Sequence, residues 1–206
     1  MRIIAGTRRN HHFEGPLDRA TRPTSDRARE AIFNILADSI EDLLAVDLFS
    51  GTGSLGLEAL SRGASRAIFV EKNRGNAALI RRNLITLRFE DRAVVHNTDA
   101  FRWARSYRPE PNEPAVLFLD PPWREYENYP DRIPALIQIM LTRLPVGSIV
   151  VVESDKQGKA EPFADSDLWD HRHYGGTRVS VRRVGVEESI VSAVGDETEP
   201  EPDLET

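Results

Sequence analysis

The sequence predicts an α/β fold: a doubly wound sheet of mainly parallel strands, with helices on both faces and an antiparallel hairpin at one edge. Two observations carry this expectation. Short apolar runs alternate with amphipathic segments of helical spacing, and the run at 115–119 ends directly at Asp120. The segment at 169–184 alternates in polarity on both sides of Gly175 and Gly176, which is typical of a hairpin.

The individual elements follow from the same pattern. Residues 1–22 alternate weakly and contain two glycines and a proline, which indicates a short β-hairpin or an extended arm rather than part of the core. Possible N-cap side chains at 24–26 precede the first helix. In the first half of the remaining chain, the pattern predicts a helix at 25–38, a strand at 46–49, a glycine loop at 51–53, a helix to about Arg62, a strand at 67–70 and a helix through Leu84. In the second half, it predicts a short strand at 94–95, a strand at 115–119, a helix at 131–143, a strand at 148–152 and the terminal hairpin.

Charge divides the chain into three parts. The formal net charge is -6, but eight of the 33 acidic residues lie at 187–206, and the other 25 face 27 basic residues. Residues 1–29 hold seven arginines against three acids, which is the expected footprint of a polyanion binder. We therefore expect a basic N-terminal arm at 1–22, one folded domain at 23–186 and an acidic, disordered tail at 187–206.

Composition excludes several classes of site. The chain has no cysteine, which rules out disulfides, thiolate metal sites and cysteine nucleophiles. No cluster of His, Asp and Glu has metal-ligand spacing, so we expect no metal. No run of 18 apolar residues occurs, and the start lacks the apolar stretch of a signal peptide, so no membrane partner is expected. We predict a cytoplasmic protein, and a monomer.

A glycine motif follows the first predicted strand. Residues 51–56 match G-x-G-x-x-G, and Glu71 lies 20 residues beyond Gly51, which taken alone favours NAD. Asp47 lies four residues before Gly51, and a hairpin replaces the second mononucleotide half, which together favour S-adenosylmethionine, because its ammonium group pairs with a carboxylate. The candidate cofactor-binding residues are Asp47, Gly51, Thr52, Gly53, Glu71, Lys72, Asp99 and Ala100.

Two of these acids have more than one possible role. At the end of the second strand, Glu71 is placed to accept hydrogen bonds from ribose hydroxyls, a role that does not distinguish NAD from S-adenosylmethionine. Asp99 could bind the adenine amine, or it could cap the helix through Phe101 and Trp103. The sequence leaves these two roles of Asp99 open.

The most informative motif is Asp120, Pro121, Pro122 and Trp123. A buried strand that ends at a carboxylate delivers it to the carboxyl edge of the sheet, where open α/β sheets bind ligands. Two prolines remove backbone donors and fix the turn, which therefore presents carbonyl oxygens beside an aromatic ring. A carboxylate, a carbonyl and a flat ring suit a planar group that carries an amine, such as a nucleobase.

The chemistry predicted for these four candidate catalytic residues is methylation of that amine. The lone pair of an aryl amine is delocalised into the ring. Acceptance of its two N–H bonds by Asp120 and by the carbonyl of Pro121 would favour a pyramidal nitrogen and direct the lone pair at a sulfonium methyl group. Alignment of amine and methyl can contribute up to about 7–11 kcal/mol in favourable systems. Stacking of the base on Trp123 adds about 1–3 kcal/mol.

These residues carry a family resemblance. The first glycine loop and the Asp-Pro-Pro-Trp turn resemble a class I S-adenosylmethionine-dependent amino-methyltransferase, which has a Rossmann-like sheet. The resemblance narrows to the RsmD family at residues 2–6 (Arg-Ile-Ile-Ala-Gly), 22–24 (Arg-Pro-Thr) and 56–64 (Gly-Leu-Glu-Ala-Leu-Ser-Arg-Gly-Ala). It extends from residue 1 to about residue 175.

Members of that family methylate the guanine N2 amine in the RNA of the bacterial small ribosomal subunit. The resemblance implies a methyltransferase domain at 23–186, S-adenosylmethionine as cofactor, and 16S ribosomal RNA in the small subunit as partner. It also implies that Asp47, Gly51, Gly53, Glu71 and Asp99 surround the cofactor and that residues 120–123 receive the base. The candidate RNA-binding residues are Arg2, Arg8, Arg9, Arg22 and Thr24.

Three alternatives stay open. An adenine-N6 or cytosine-N4 methyltransferase acting on DNA or RNA would use the same Asp-Pro-Pro turn, so only the N-terminal resemblance speaks against it. A non-catalytic RNA-binding ribosome assembly factor would retain a vestigial cofactor site. An NAD-binding protein would use the glycine motif but has no use for the turn at Asp120.

Overall fold

The computed structural model describes residues 1–16, 26–155 and 166–185. Within these residues the chain forms seven strands and six α-helices, joined by turns and short 3-10 helices. The strands are β1 (Leu44–Leu48), β2 (Arg66–Val70), β3 (Ala93–His96), β4 (Ala115–Leu119), β5 (Ile149–Asp155), β6 (Asp170–Tyr174) and β7 (Thr177–Arg183). The helices are α1 (Asp26–Leu36), α2 (Ser54–Ser61), α3 (Arg74–Leu87), α4 (Ala100–Ser106), α5 (Trp123–Asn128) and α6 (Arg132–Leu141).

These strands form one sheet in the order β3-β2-β1-β4-β5-β7-β6. Strands β1 to β5 are parallel, and β7 lies antiparallel between β5 and β6. The predicted doubly wound sheet with an antiparallel hairpin at its edge is therefore confirmed. The direction of winding reverses between β1 and β4, which opens a crevice at the carboxyl ends of these two strands.

Helices cover both faces of the sheet. Apolar side chains of α1, α2 and α3 pack on one face, and those of α4, α5 and α6 pack on the other. β1 and β4 are buried along their whole length, which explains their continuous apolar sequence. None of the helices in the described residues is long and apolar enough to cross a membrane.

The N-terminal segment belongs to the core, contrary to the sequence expectation. Arg2 pairs with His12 in an antiparallel bridge, in agreement with a hairpin. Ile3 and Phe13, however, are buried in the same cluster as the apolar residues of α1 and α2. Isolated apolar residues in a basic, glycine-containing run carry no periodic signal, which is why the sequence did not show their burial.

Helix α2 holds this segment through its polar side chains. The backbone N–H groups of Ile4 and Ala5 donate to the carboxylate of Glu58 at 2.8 and 3.0 Å. The hydroxyl of Ser61 donates to the carbonyl of Ala5 and accepts from the N–H of Arg8. The backbone of residues 4–8 is thus bonded to one helix.

Candidate active site at the carboxyl edge of the sheet

Four carboxylates gather where the parallel strands end. Leu48, Val70, Leu119 and Val152 lie level with one another across β1, β2, β4 and β5. Glu71, Asp120 and Glu153 follow three of these residues, and Asp47 precedes the fourth. Because side chains alternate along a strand, all four carboxylates project from the face that carries α1 to α3.

Asp47 is buried at the centre of this cluster, with a relative exposure of 2%. Its Oδ2 accepts a hydrogen bond of 3.0 Å from the N–H of Gly56, in the first turn of α2. Burial raises the pKa of Asp47 well above its usual range, and the negative charges of Asp120 and Glu71 add to this effect, whereas the bond from Gly56 opposes it. The site therefore concentrates negative charge that a cation would stabilise.

The glycine loop is shaped by Glu71 and by a close helix–strand contact. The carboxylate of Glu71 accepts from the N–H of Gly51 at 2.8 Å and from that of Asn73 at 2.6 Å. Gly51 and Gly53 have positive φ angles, which favour glycine. At Gly56 a Cβ atom would lie 2.4 Å from the ring of Phe69, so this third glycine is required for α2 to approach β2. Thr52, inside the loop, is buried.

Asp99 caps α4. Its side chain accepts from the N–H of Arg102 at 3.0 Å, which confirms the capping alternative of the sequence analysis. Ala100 is the first, buried residue of that helix. Lys72 is exposed and forms an ion pair with Glu125 of α5 at 3.4 Å, so it links the end of β2 to the helix that follows the proline turn. Contact of these residues with a cofactor stays a prediction.

The proline turn leads from β4 into α5. Pro121 is buried and Pro122 is exposed. The carbonyl of Pro122 accepts the N–H of Glu125 at 2.8 Å and thereby starts α5, which begins at Trp123. This six-residue helix was not predicted, because it is too short for a periodic signal. The catalytic roles of residues 120–123 stay predictions.

Glu153 is a site residue that the sequence analysis missed. It lies on β5 directly after Val152, which pairs with Leu119 of β4, so the register brings it next to Asp120. Burial, together with the charge of Asp120, raises the pKa of Glu153 to about 8. The backbone carbonyl of Glu153 accepts from the hydroxyl of Tyr126 at 3.1 Å, which ties α5 to β5. The signal in the sequence that could have indicated Glu153 is an acidic residue directly after an apolar strand, as in Val152-Glu153.

Aromatic rings and an arginine border the opposite face of the same edge. The ring of Phe49 meets that of Phe101 edge-on, with centroids 5.5 Å apart. The guanidinium group of Arg132 lies over Phe101 at 3.8 Å and near the ring of Tyr129 at 5.1 Å. Arg132 also pairs with Glu125 at 3.4 Å. These contacts hold α4, α5 and α6 together beside the proline turn.

Comparison with known proteins now identifies the family. A family model described as "Conserved hypothetical protein 95" matches residues 1–183. YlbH of Bacillus subtilis (strain 168) is 30% identical over 184 residues, which are 88% of this chain and 97% of YlbH. Ribosomal RNA small subunit methyltransferase D of Escherichia coli (strain K12) is 39% identical over 125 residues, 60% of this chain and 61% of that protein. This chain belongs to the RsmD family of methyltransferases.

Solved structures share the RsmD-family fold of this chain. The methyltransferase yhhF from Escherichia coli has a TM-score of 0.70 at 30% identity, over 89% of this chain and 98% of that one. An RNA methyltransferase from Salinibacter ruber, in complex with S-adenosyl-L-homocysteine, has a TM-score of 0.57 at 17% identity, over 90% and 100%. The predicted Rossmann-like class I methyltransferase fold is confirmed.

Two of the segments that carried the family resemblance meet in the described part of the chain. Residues 2–6 and 56–64 lie together, because Glu58 and Ser61 bind the backbone of Ile4 and Ala5. At Gly6, where φ is +81°, a Cβ atom would lie 1.8 Å from the carbonyl oxygen of Ser61. This contact gives a physical reason for a glycine at the end of Arg-Ile-Ile-Ala-Gly.

Three of the five candidate RNA-binding residues, Arg2, Arg8 and Arg9, lie in the described N-terminal segment. Arg8 and Arg9 lie near the end of α2, at the amino edge of the sheet, opposite to Asp120. The Nε of Arg8 donates to the carbonyl of Leu87 at 2.7 Å, and Arg9 is exposed. Arg2 is also exposed. Arg22, Thr24 and the acidic tail lie outside the described residues, and RNA contact by all five candidates stays a prediction.

Proposed function

We propose that this protein transfers a methyl group from S-adenosylmethionine to the exocyclic N2 amine of a guanine in the 16S RNA of the small ribosomal subunit. The observation that carries this proposal is the placement of Asp120. It stands at the carboxyl end of β4, next to the crevice between β1 and β4, and directly before two prolines. Its neighbours Asp47, Glu71 and Glu153 come from three other strand ends.

The site suits a cationic cofactor. S-adenosylmethionine supplies, when bound, an electrophilic methyl group on a positively charged sulfonium. Asp47 and Glu71 would hold its charged and hydroxyl groups, and the backbone of Gly51 and Gly53 would border it. The raised pKa of Asp47 supports this fit, because it reports negative charge that the described protein groups do not fully compensate. A nucleotide cofactor with a pyrophosphate would bring further negative charge to the same carboxylates.

Asp120 and Pro121 would orient the base. The carbonyl of Pro122 is used by α5, whereas that of Pro121 precedes the helix and, with the Asp120 carboxylate, can accept the two N–H bonds of an amine. This arrangement would direct the nitrogen lone pair toward the methyl group. After transfer the nitrogen loses one proton, for which the Asp120 carboxylate is the adjacent base.

The proposed substrate rests on the family. The Escherichia coli relative is named a ribosomal RNA small subunit methyltransferase, and the alignment spans less than two thirds of its length. Residues 1–22 contain five arginines, and their positive charge suits an RNA substrate. A ribosomal RNA substrate would also place the protein in the cytoplasm, as the sequence analysis predicts.

The test combines the purified protein and labelled S-adenosylmethionine with small ribosomal subunits from a strain that lacks this enzyme. Naked RNA and DNA are treated in parallel, and the nucleosides are identified by mass spectrometry. We expect N2-methylguanosine in the subunit sample. Methylated adenine or cytosine would contradict the proposed base, and cofactor binding without any transfer would favour the assembly-factor alternative.

An Asp120→Asn variant tests the role of that carboxylate. We expect kcat to fall by a factor of about 10² or more, in the range of general acid–base effects, while the protein stays folded. Asp170→Asn is the matched control, because Asp170 pairs with Arg172 on the exposed edge strand β6 and should leave the rate unchanged. Near-normal turnover of Asp120→Asn would contradict the mechanism.

A further inference from the structure

Glu153, the carboxylate residue on the strand next to Asp120, has no role in the methyl transfer described above. Glu153 lies level with Asp120, on the neighbouring strand and on the same face of the sheet. Within the described part of the chain, its Oε2 atom is buried and has no hydrogen-bond partner. A buried acceptor without a donor is unfavourable in the protein alone, which makes it a candidate for contact with a ligand.

Guanine, adenine and cytosine each carry an exocyclic amine, but they differ in the ring nitrogen next to it. In guanine the ring nitrogen N1 carries a hydrogen, so the edge beside the N2 amine presents a further donor. In adenine and cytosine the ring nitrogen beside the amine is an acceptor. A carboxylate facing this position would bond to guanine and would meet a lone pair in the other two bases.

We propose that Glu153 is a specificity residue, which accepts the N1–H of the target guanine while Asp120 and the carbonyl of Pro121 accept the hydrogens of the N2 amine. This inference rests on the proposed function. Three acceptors on adjacent strand ends would match the three hydrogens along the edge of guanine. Burial and the charge of Asp120 raise the pKa of Glu153, so its ionised form needs a donor, which the guanine N1–H would supply.

One contact of Glu153 does not depend on its side chain. Tyr126 bonds to the backbone carbonyl of Glu153 and not to the carboxylate, so Glu153→Gln retains this contact. Glutamine is also close to glutamate in shape. It differs in that its amide can donate as well as accept, and so it would tolerate either kind of ring nitrogen.

The probe is 2,6-diaminopurine, which keeps the amine at position 2 but has an acceptor at N1. Small subunits are reconstituted with RNA that carries guanine or this base at the methylated position. We expect the wild-type protein to prefer guanine by about tenfold to a hundredfold in kcat/KM, the range of a hydrogen bond to a charged group. In Glu153→Gln this preference should be lost or reversed.

Glu113→Gln is the control, because Glu113 pairs with Arg66 at the amino edge of the sheet and should keep the wild-type preference. Full retention of the preference in Glu153→Gln, or equal use of both bases by the wild-type protein, would overturn the inference. Failure of the proposed function is seen separately, as absence of guanine methylation by the wild-type protein in unmodified subunits. Thermal unfolding of both variants confirms that each is folded.

Discussion

Glu58 binds the N-terminal segment through backbone donors: the N–H of Ile4 lies 2.8 Å from its Oε2, and that of Ala5 lies 3.0 Å from its Oε1. The carboxylate is buried and also pairs with Arg62 at 2.8 Å and with Arg29 at 3.9 Å. One side chain of α2 therefore satisfies a stretch of chain that has no regular secondary structure, and it does so through charge-assisted hydrogen bonds.

Replacement of Glu58 by glutamine should destabilise the protein strongly. The glutamine side chain would lack the charge that compensates buried Arg29, and removal of one partner of a buried ion pair costs about 3–5 kcal/mol. The free energy of unfolding, measured by urea denaturation, should fall by that amount. Glu90→Gln, at an exposed position, should change it by less than about 0.5 kcal/mol. Equal effects of the two variants would disprove the role of Glu58.

Gly6→Ala should be more harmful than Gly175→Ala. Both glycines have positive φ angles, so both alanines strain the backbone by about 1 kcal/mol. At Gly6 the new Cβ would also collide with the carbonyl of Ser61, whereas nothing lies within 4 Å of the corresponding position at Gly175. We expect Gly6→Ala to lower the free energy of unfolding by at least about 1 kcal/mol more, by the usual cost of overpacking. Equal losses would show that the contact with Ser61 relaxes freely.

The sequence predicted those parts of the site that depend on local pattern. Asp120 and Glu71 each end an apolar strand, so their place at the sheet edge followed from strand length alone. Glu153 also follows an apolar run, but its place beside Asp120 depends on register: only the pairing of β4 with β5 brings the two residues together. Register is a property of distant segments, and one sequence does not contain it in readable form.

The N-terminal segment was misjudged for a related reason. Ile3 and Phe13 are separated by polar and basic residues, yet both are buried against helices far along the chain. Arg8, whose contact with RNA stays a prediction, uses its Nε to bind the carbonyl of Leu87. An arginine that caps a distant carbonyl and one that faces solvent are indistinguishable in sequence, because the partner is chosen by tertiary packing.

Asp47→Asn should stabilise the protein and weaken its affinity for S-adenosylmethionine. Asparagine keeps an oxygen for the N–H of Gly56 but carries no charge. Because the pKa of Asp47 is raised in the folded state, the stability linked to its proton is present at low pH and is lost as pH rises. The advantage of the variant in thermal unfolding should therefore grow from about pH 4 to about pH 8, while cofactor affinity should fall about tenfold or more.

Glu14→Gln is the control for Asp47→Asn, because the pKa of Glu14 is shifted in the opposite direction. Its hydrogen bond with Arg82 lowers the pKa of the exposed Glu14, so this carboxylate favours the folded state at neutral pH rather than opposing it. The variant should gain no stability as pH rises and should bind S-adenosylmethionine normally. A decrease in the stability of Asp47→Asn relative to wild type at about pH 8 would contradict the assignment of Asp47 as an uncompensated buried charge.

Binding of S-adenosylmethionine should release protons at neutral pH. The pKa of Glu153, next to Asp120, is raised to about 8, so at neutral pH part of the population carries a proton on this group. A cationic ligand in the same cluster favours the ionised carboxylates, lowers their pKa values and expels the proton. Calorimetric titrations in two buffers of different ionisation enthalpy measure the number of protons released.

Two controls test the origin of these protons. We expect fewer protons to be released with S-adenosylhomocysteine, which has no sulfonium charge, and fewer with the Glu153→Gln variant. A binding heat that does not depend on the buffer would show that the carboxylate cluster is already fully ionised before the ligand binds.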